Sequence, residues 1–313
     1  MAWHHNLYST YSIVARDEQT GQLGVAVQTH QIGVGRYIIW MKAGRGAMIT
    51  QSLANIGFGP MALSMLQQGV DPERIIAALV ATDPDATRRQ MGVVDNQGRA
   101  AAFTGSGCIR EAQHHVGDGY SIQANMMTHS TVIPAMRGAY ESATGDLAQR
   151  MIAALHAAQA EDGDIRGMQS AALRIVSGNP DTAEWQTVYD LRVDEHTDPI
   201  TELGRLVRLR HTQIIDAEGY TALDAGDRER ALTKWQEARE EAPELEELAF
   251  WQAITLADTH NDVATAAAIL QDALADHPRR AQWLDLIGRL KECGLIEREN
   301  VGQELLALLA QGS

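Results

Sequence analysis

Cysteine is almost missing from this chain: Cys108 and Cys293 are the only two in 313 residues. They fall in segments that read as different domains. That excludes a disulfide-stapled scaffold and fits a reducing compartment, so a cytoplasmic location is expected. Long apolar runs are missing as well, and none approaches the length of a bilayer-spanning helix. The opening MAWHHNLYST has neither the basic start nor the apolar run of a secretory signal. Positive charge is scarce. The 26 Lys and Arg face 41 Asp and Glu, for a formal net charge of −15. The cationic footprint of a nucleic-acid binder is therefore absent, and unaided docking on an anionic membrane is disfavoured.

Several site motifs are also lacking. There is no GxxxxGK[ST], so no P-loop, and no GxGxxG after a strand, since GVGRY does not fit. HExxH, CxxC and GxSxG do not occur. His114-His115 and Asp194-Glu195-His196 hold ligand-type residues, but their spacing matches no closed metal site. No metal and no cofactor are expected.

What is present is ordinary globular composition, with 45% hydrophobic and 21% charged residues and 27 glycines. The length allows two domains and a core that needs no staples. Tyr11 to Ala15 and Leu23 to Val27 flank a turn-forming DEQTGQ and read as a hairpin. Arg36 to Met41 and Ala47 to Thr50 give two more strands. Pro60 and Pro72 open two helices. Met91 to Val94 and Arg99 to Phe103 flank DNQG as a second hairpin, and Tyr120 to Met126 is a further strand. Thr131 to Tyr140 and Asp146 to Ala158 read as helices, Ser170 to Val176 and Thr187 to Val193 as the last strands. The hairpin-like links predict an α+β fold with mainly antiparallel sheets.

From Pro199 onward the pattern is helical. Pro243 and Pro278, Ala231 and Ala266, and Ala238 and Ala273 are each 35 residues apart, and Gly219 opens the first unit. That period predicts a tetratricopeptide-like helical module whose units bury their apolar faces by stacking.

Polar residues that interrupt apolar strands are the candidates for chemistry: Thr10 and Ser12; His30, Arg36, Lys42 and Arg45; Gln51, Ser52 and Asn55; Cys108, His114 and His115; Gln123 and Asn125; Asp164, Arg166, Gln169 and Ser170; and Asp190, Arg192, Asp194, Glu195 and His196. Each has a plain structural alternative. Arg36 and Lys42 suit solvated edges, Asp190 and Arg192 an ion pair on one strand face, His114-His115 a surface loop, and Cys108 a small buried hydrophobe.

Six stretches in order carry a resemblance: TYSIVARDEQTGQLGVAV, GRGAMITQSLANIGFGP, QMGVVDNQGRAAAFTGSGC, GYSIQANMM, GDIRGMQSAAL and DLRVDEHTDPITEL. Over residues 10 to about 205 the chain resembles the bacterial family catalogued as domain of unknown function 1028. The resemblance implies the four-layer αββα sandwich of N-terminal-nucleophile hydrolase type. It implies an organisation of residues 1–9 as an N-terminal extension, 10–205 as that domain and 206–313 as the helical module. Members of that superfamily commonly hydrolyse amide bonds through a Thr, Ser or Cys at the mature N-terminus, whose own amine acts as base. The family's opening Thr matches Thr10, which here has nine residues before it, so a free amine requires cleavage at Ser9–Thr10. The glycine of the family's QGN is Ala124 here.

The expected function is hydrolysis of an amide or cyclic-amide C–N bond in a small polar substrate. Thr10 is the nucleophile, Lys42 an electrostatic partner, and Gln51, Asn55 and Asn125 supply oxyanion-type donors. His30, Arg36, Arg45, Asp164, Arg166, Gln169, Arg192, Asp194 and His196 are expected to bind substrate. One alternative is an uncleaved hydrolase with water activated by His30, Asp194 or His196. Another is a binding or scaffold protein. A homo-oligomer, with partner docking through the helical module, is expected.

Overall fold

The structure is a computed structural model that describes residues 7–311. The expectation for residues 1–9 therefore falls mostly outside the described residues. The chain has an N-terminal region of sheets and helices and a C-terminal region that is all helical, dividing into two compact units at Val207 and Arg208.

In the first unit one sheet holds β1 (Leu7–Tyr8), β4 (Ile39–Lys42), β5 (Gly46–Leu53), β6 (Arg89–Asp95) and β7 (Ala100–Thr104). The other holds β2 (Thr10–Arg16), β3 (Leu23–Thr29), β8 (Gln113–Gly117), β9 (Tyr120–Asn125), β10 (Ser170–Val176) and β11 (Thr187–Val193), in the order β11-β10-β3-β2-β9-β8. Every pairing is antiparallel. Strand alternation puts Val14, Val25, Val27, Ala47, Ile49 and Val94 into one cluster between the sheets. Helices α1 (Phe58–Gln67) and α2 (Pro72–Thr82) pack on the first sheet, burying Phe58, Leu66, Ile75 and Leu79 against Met48, Met91 and Val93. Helices α3 (Val132–Ser142) and α4 (Leu147–Ala160) pack on the second. Asp71 caps α2 through the Glu73 amide, and Asp146 with Gln149 forms a capping box on α4.

Facing strands decide where the molecule is open. β7 lies on β8 and β9, β6 on β9 and β2, β5 on β2 and β3, and β4 on β3 and β10. The Val34–Arg36 turn and β4 cover the inner face of β10, and no strand of the first sheet packs extensively on the edge strand β11.

Two differences from the sequence reading stand out. The strand expected over Arg36 to Met41 starts only at Ile39, because Gly33 adopts a left-handed backbone (φ 66°) and Val34–Arg36 closes as a 3-10 turn. The pair His114-His115 belongs to edge strand β8, not to a loop.

The second unit runs from the C-terminal part of α5 (Pro199–Asp224) through α6 (Arg228–Glu241), α7 (Glu246–Thr259), α8 (Val263–Leu274), α9 (Arg280–Glu292) and α10 (Val301–Gln311). One continuous core joins them, with Trp235, Phe250, Leu256, Leu270, Ile287 and Leu305 fully or almost fully buried.

Candidate functional site

Strand β2 begins where the chain passes from one sheet to the other. Leu7 and Tyr8 pair with Leu53 and Ser52 of β5, and two residues later Thr10 pairs with Thr29 of β3 and Asn125 of β9. Ser9 is the corner. Its carbonyl oxygen accepts from the Thr29 hydroxyl and, at 3.3 Å, from Nη2 of Arg166. Arg166 is aimed by Asp164, which accepts from its Nε at 3.1 Å and its Nη2 at 2.8 Å. Ser9 Oγ donates to the Asn125 carbonyl at 3.0 Å. The Thr10 hydroxyl donates to the Tyr8 carbonyl at 2.8 Å, and Asn125 Nδ2 approaches the same oxygen at 3.4 Å. Ser9, Thr10, Thr29 and Asn125 are all fully buried.

At this end the space between the sheets is polar where the other end is apolar. Ser12 donates to Gln51 Oε1 at 2.6 Å and accepts from Gln123 Nε2 at 2.9 Å. Gln51 Nε2 donates to the Thr10 carbonyl at 3.2 Å and to Gln90 Oε1 at 2.7 Å. Gln90 Oε1 also accepts from Asn125 Nδ2 at 3.0 Å, while its Nε2 shares its two hydrogens among Thr104 Oγ1, Gln113 O and Ala124 O. The layer ends at the sandwich edge, where Thr104 Oγ1 lies 2.9 Å from Nδ1 of His114. With the Gln90 amide on its other side, the Thr104 hydroxyl can donate to the imidazole in the tautomer that leaves Nδ1 unprotonated. Desolvation, and then the neighbouring His115, hold the His114 pKa below its ordinary value, which keeps the ring neutral and able to accept. One amide oxygen in this layer, Asn125 Oδ1, is buried without a hydrogen-bond partner.

Of the residues singled out in the sequence, Thr10, Gln51, Asn125, Asp164 and Arg166 come together here. Lys42, Arg36 and Arg192 instead line a cleft beside β4, β10 and β11. Asn55 turns the chain into α1 by accepting from the Gly57 amide. Arg45 is exposed in the β4–β5 turn. His30 is exposed, its Nδ1 3.3 Å from the Met168 carbonyl. Gln169 works through its backbone, donating to Thr29 O and accepting from His196 N. Asp194 lies 3.8 Å from Arg192, and His196 Nδ1 accepts from the Asp198 amide. Cys108 donates to the Arg89 carbonyl at 3.3 Å, and burial raises its thiol pKa, so it is no ready thiolate. Gln90, Thr29 and Thr104 are the partners that sequence reasoning missed, whereas His114 stood among its candidates. No group of three His, Cys, Asp or Glu side chains able to hold a metal occurs among the described residues. Nor, among them, is any helix long and apolar enough to cross a membrane.

Residues 10–203 match a family of unknown function, DUF1028. The chain belongs to that family. Its structure is similar to the crystal structure of protein SPO2555 from Silicibacter pomeroyi, which carries the same family assignment. The two share 29% sequence identity and a TM-score of 0.58 over 64% of this chain and 88% of the other. Nothing among the curated proteins matches the chain. The matched DUF1028 segment contains every residue of the polar layer from Thr10 to Asn125, together with Asp164 and Arg166.

Proposed function

We propose that this DUF1028 protein is an amide hydrolase with the four-layer αββα architecture of N-terminal-nucleophile enzymes, and that it cuts its own Ser9–Thr10 bond to expose Thr10. The observation that carries this reading is the grip on the Ser9 carbonyl. Two donors, the Thr29 hydroxyl and the Arg166 guanidinium, already point at the oxygen that becomes negative when the adjacent Thr10 hydroxyl attacks. In that step Thr10 Oγ1 bonds to the Ser9 carbonyl carbon, the Ser9–Thr10 C–N bond breaks, and the hydroxyl proton ends on the departing nitrogen. Water then hydrolyses the ester, giving a Ser9 carboxylate and a free Thr10 amine. The new amine, with a reference pKa of about 7.7 to 8.0, serves as base for the same hydroxyl in later turnovers. It also brings extra N–H donors opposite Asn125, whose Oδ1 has no partner in the uncut chain.

Once Tyr8 and Ser9 leave, the donors they occupied are released: Thr29 Oγ1, Arg166 Nη2 and Asn125 Nδ2. Three convergent donors beside a nucleophile suit the carbonyl of a small polar amide or cyclic amide. The Tyr8–Ser9 segment thus occupies the place of a substrate's acyl portion. Intact mass spectrometry of fresh protein tests the reading. A chain starting at Thr10, abolished in Thr10→Ala, is expected; a full-length chain that turns over substrate would overturn it.

One observation favours a second reading. The Thr104–His114 pair is a hydroxyl and a neutral imidazole in hydrogen-bond contact, lining a surface pocket with Cys108 and Arg110. An uncleaved chain could use Thr104 as nucleophile and His114 as base. Loss of turnover in Thr104→Val with retention in Thr10→Ala would select it. To the helical unit we assign self-association or partner docking, since its polar residues carry no site motif and its helices form a core of their own.

A further inference from the structure

Several arginines of the first unit are held by carboxylates at hydrogen-bond distance. Arg89 donates to Asp83, Arg99 to Asp95, Arg150 to Asp17 and Arg166 to Asp164. Four cations that donate to no carboxylate line one cleft of about 460 Å³: Arg36, Lys42, Arg174 and Arg192. Among the described residues none of their side chains donates a hydrogen bond. Their carboxylate neighbours stand off, with Lys42 3.5 Å from a largely exposed Glu184, Arg174 3.5 Å from Asp190 and Arg192 3.8 Å from Asp194. Arg36 lies over the Tyr37 ring at 4.8 Å. Nε of Arg174 is buried with no hydrogen-bond partner.

The fold explains why they gather. Ala172 and Val176 face the space between the sheets, so Arg174 between them does too, and register puts Asp190 opposite Arg174 and Arg192 opposite Ala172. They lie beside the edge strand β11, on which the first sheet does not pack extensively. The gap is walled by β4, which supplies Trp40 and Lys42, and by the loop from Ser177 to Gln186. That loop is seated on Gly44, where a Cβ would lie 2.4 Å from the Pro180 nitrogen. Gly35 presses on the stem of Arg192, with a Cβ there 2.8 Å from its Cδ, so the guanidinium is carried over the cleft. Four cations against Glu184 and Asp190 make this a positive pocket on a chain of net charge −15. Uncompensated guanidinium donors in a concave, partly apolar cleft are matched by carboxylate or phosphate oxygens. The volume is that of a small-molecule site.

We infer that this cleft binds a small organic molecule with at least two negative charges, clamped by Arg174, Arg192 and Lys42 against Trp40. The site is separate from the Thr10 corner. Two strand spacings and four residues along β10 place Arg174 on the order of 15 Å from Thr10. The inference therefore goes beyond the proposed hydrolase.

Isothermal titration of the full chain at low ionic strength with citrate and with adenosine monophosphate tests it, since these carry the two anion chemistries an arginine fork accepts. Binding of at least one in the submillimolar range is expected. Arg174→Gln and Arg192→Gln should each weaken it about tenfold, the effect of one charge-assisted hydrogen bond. Arg45→Gln, an exposed cation outside the cleft, should change it less than about twofold on the same basis. The tighter probe names the anion class. The inference is overturned if neither probe binds, or if Arg45→Gln weakens binding as much as the cleft variants. Unchanged thermal midpoints show that the variants are folded. The titration reads binding alone, so its result does not depend on whether Ser9–Thr10 is cut.

Discussion

The Thr29 hydroxyl donates to the carbonyl oxygen of Ser9, the residue that precedes the candidate nucleophile. In a β-corner a carbonyl needs one donor, and this one has two, the second being the charged Arg166. Removing one donor from an oxyanion site costs about a hundredfold to a thousandfold in rate. Thr29→Val should therefore slow cleavage at Ser9–Thr10 by about that factor, and Arg166→Met by a similar one. Time-resolved intact mass after rapid purification reads both rates. If Thr29→Val is cut as fast as the parent, the donor is structural and the oxyanion argument fails.

Gln90 is the hub of the buried layer: its Oε1 accepts two hydrogen bonds, and its Nε2 has three acceptors within hydrogen-bond distance. Gln90→Glu keeps the shape and removes the donors, so a carboxylate would face the carbonyls of Gln113 and Ala124. That raises its folded pKa above the unfolded value of about 4.3. The stability the protonated form supplies is present below that pH and is lost as pH rises through the folded pKa. The variant should be destabilised at neutral pH by about 1–3 kcal/mol for each unsatisfied group and should recover in acid. Urea unfolding between pH 4 and 7 measures this. A pH-independent loss would mean that the layer tolerates the charge.

Parts of this fold were legible from alternation alone. Ser170–Val176 and Thr187–Val193 have the bounds that their apolar and β-branched runs suggest, because those strands carry turn residues at both ends. β1 is two residues, held by edge pairing to β5, and leaves no periodic trace. β8 reads as polar because its side chains are largely exposed. At the site, Thr10, Gln51 and Asn125 stood out as polar residues in apolar strands. Gln90 escaped notice beside Met91, although the period of two that puts Met91 and Val93 under the helices puts Gln90 between the sheets. Lys42, Arg36 and Arg192 had the right chemistry for a site but belong to another opening. Alternation tells which face a side chain takes, and only the offset of one sheet on the other shows which faces stay uncovered.

His114 gives the sandwich edge a pH dependence of opposite sense. Desolvation and His115 depress its folded pKa, so as pH falls the unfolded chain takes up its proton first. The contribution to stability is fully present above the unfolded pKa of about 6.5 and is lost as pH falls through the folded value. Stability should thus rise with pH over that window, and His114→Gln should flatten the rise. Denaturant midpoints from pH 5 to 8 for both chains check it; identical slopes would place the titration elsewhere.

Trp235 carries the last expectation, which concerns the helical unit. Its side chain is fully buried and meets the Tyr220 ring edge-on at 4.8 Å between centroids. Its Nε1 donates to the Asp216 carbonyl at 3.2 Å. Gly219 lies against the indole so closely that a Cβ there would be 2.4 Å from Cδ1, which explains why a glycine occupies the middle of α5 despite its helix cost of about 1 kcal/mol. Trp235→Ala should destabilise this unit by about 3–5 kcal/mol through transfer and cavity terms. Trp235→Phe, which keeps much of the volume and loses the hydrogen bond, should cost less. If the helical unit serves self-association, the alanine variant should also change oligomer size in sedimentation while anion binding in the cleft of the first unit stays within about twofold, since the helical unit has a core of its own. An unchanged oligomer with the helical circular-dichroism signal clearly reduced would remove the association role from these helices. Loss of anion binding as well would show that the cleft depends on them.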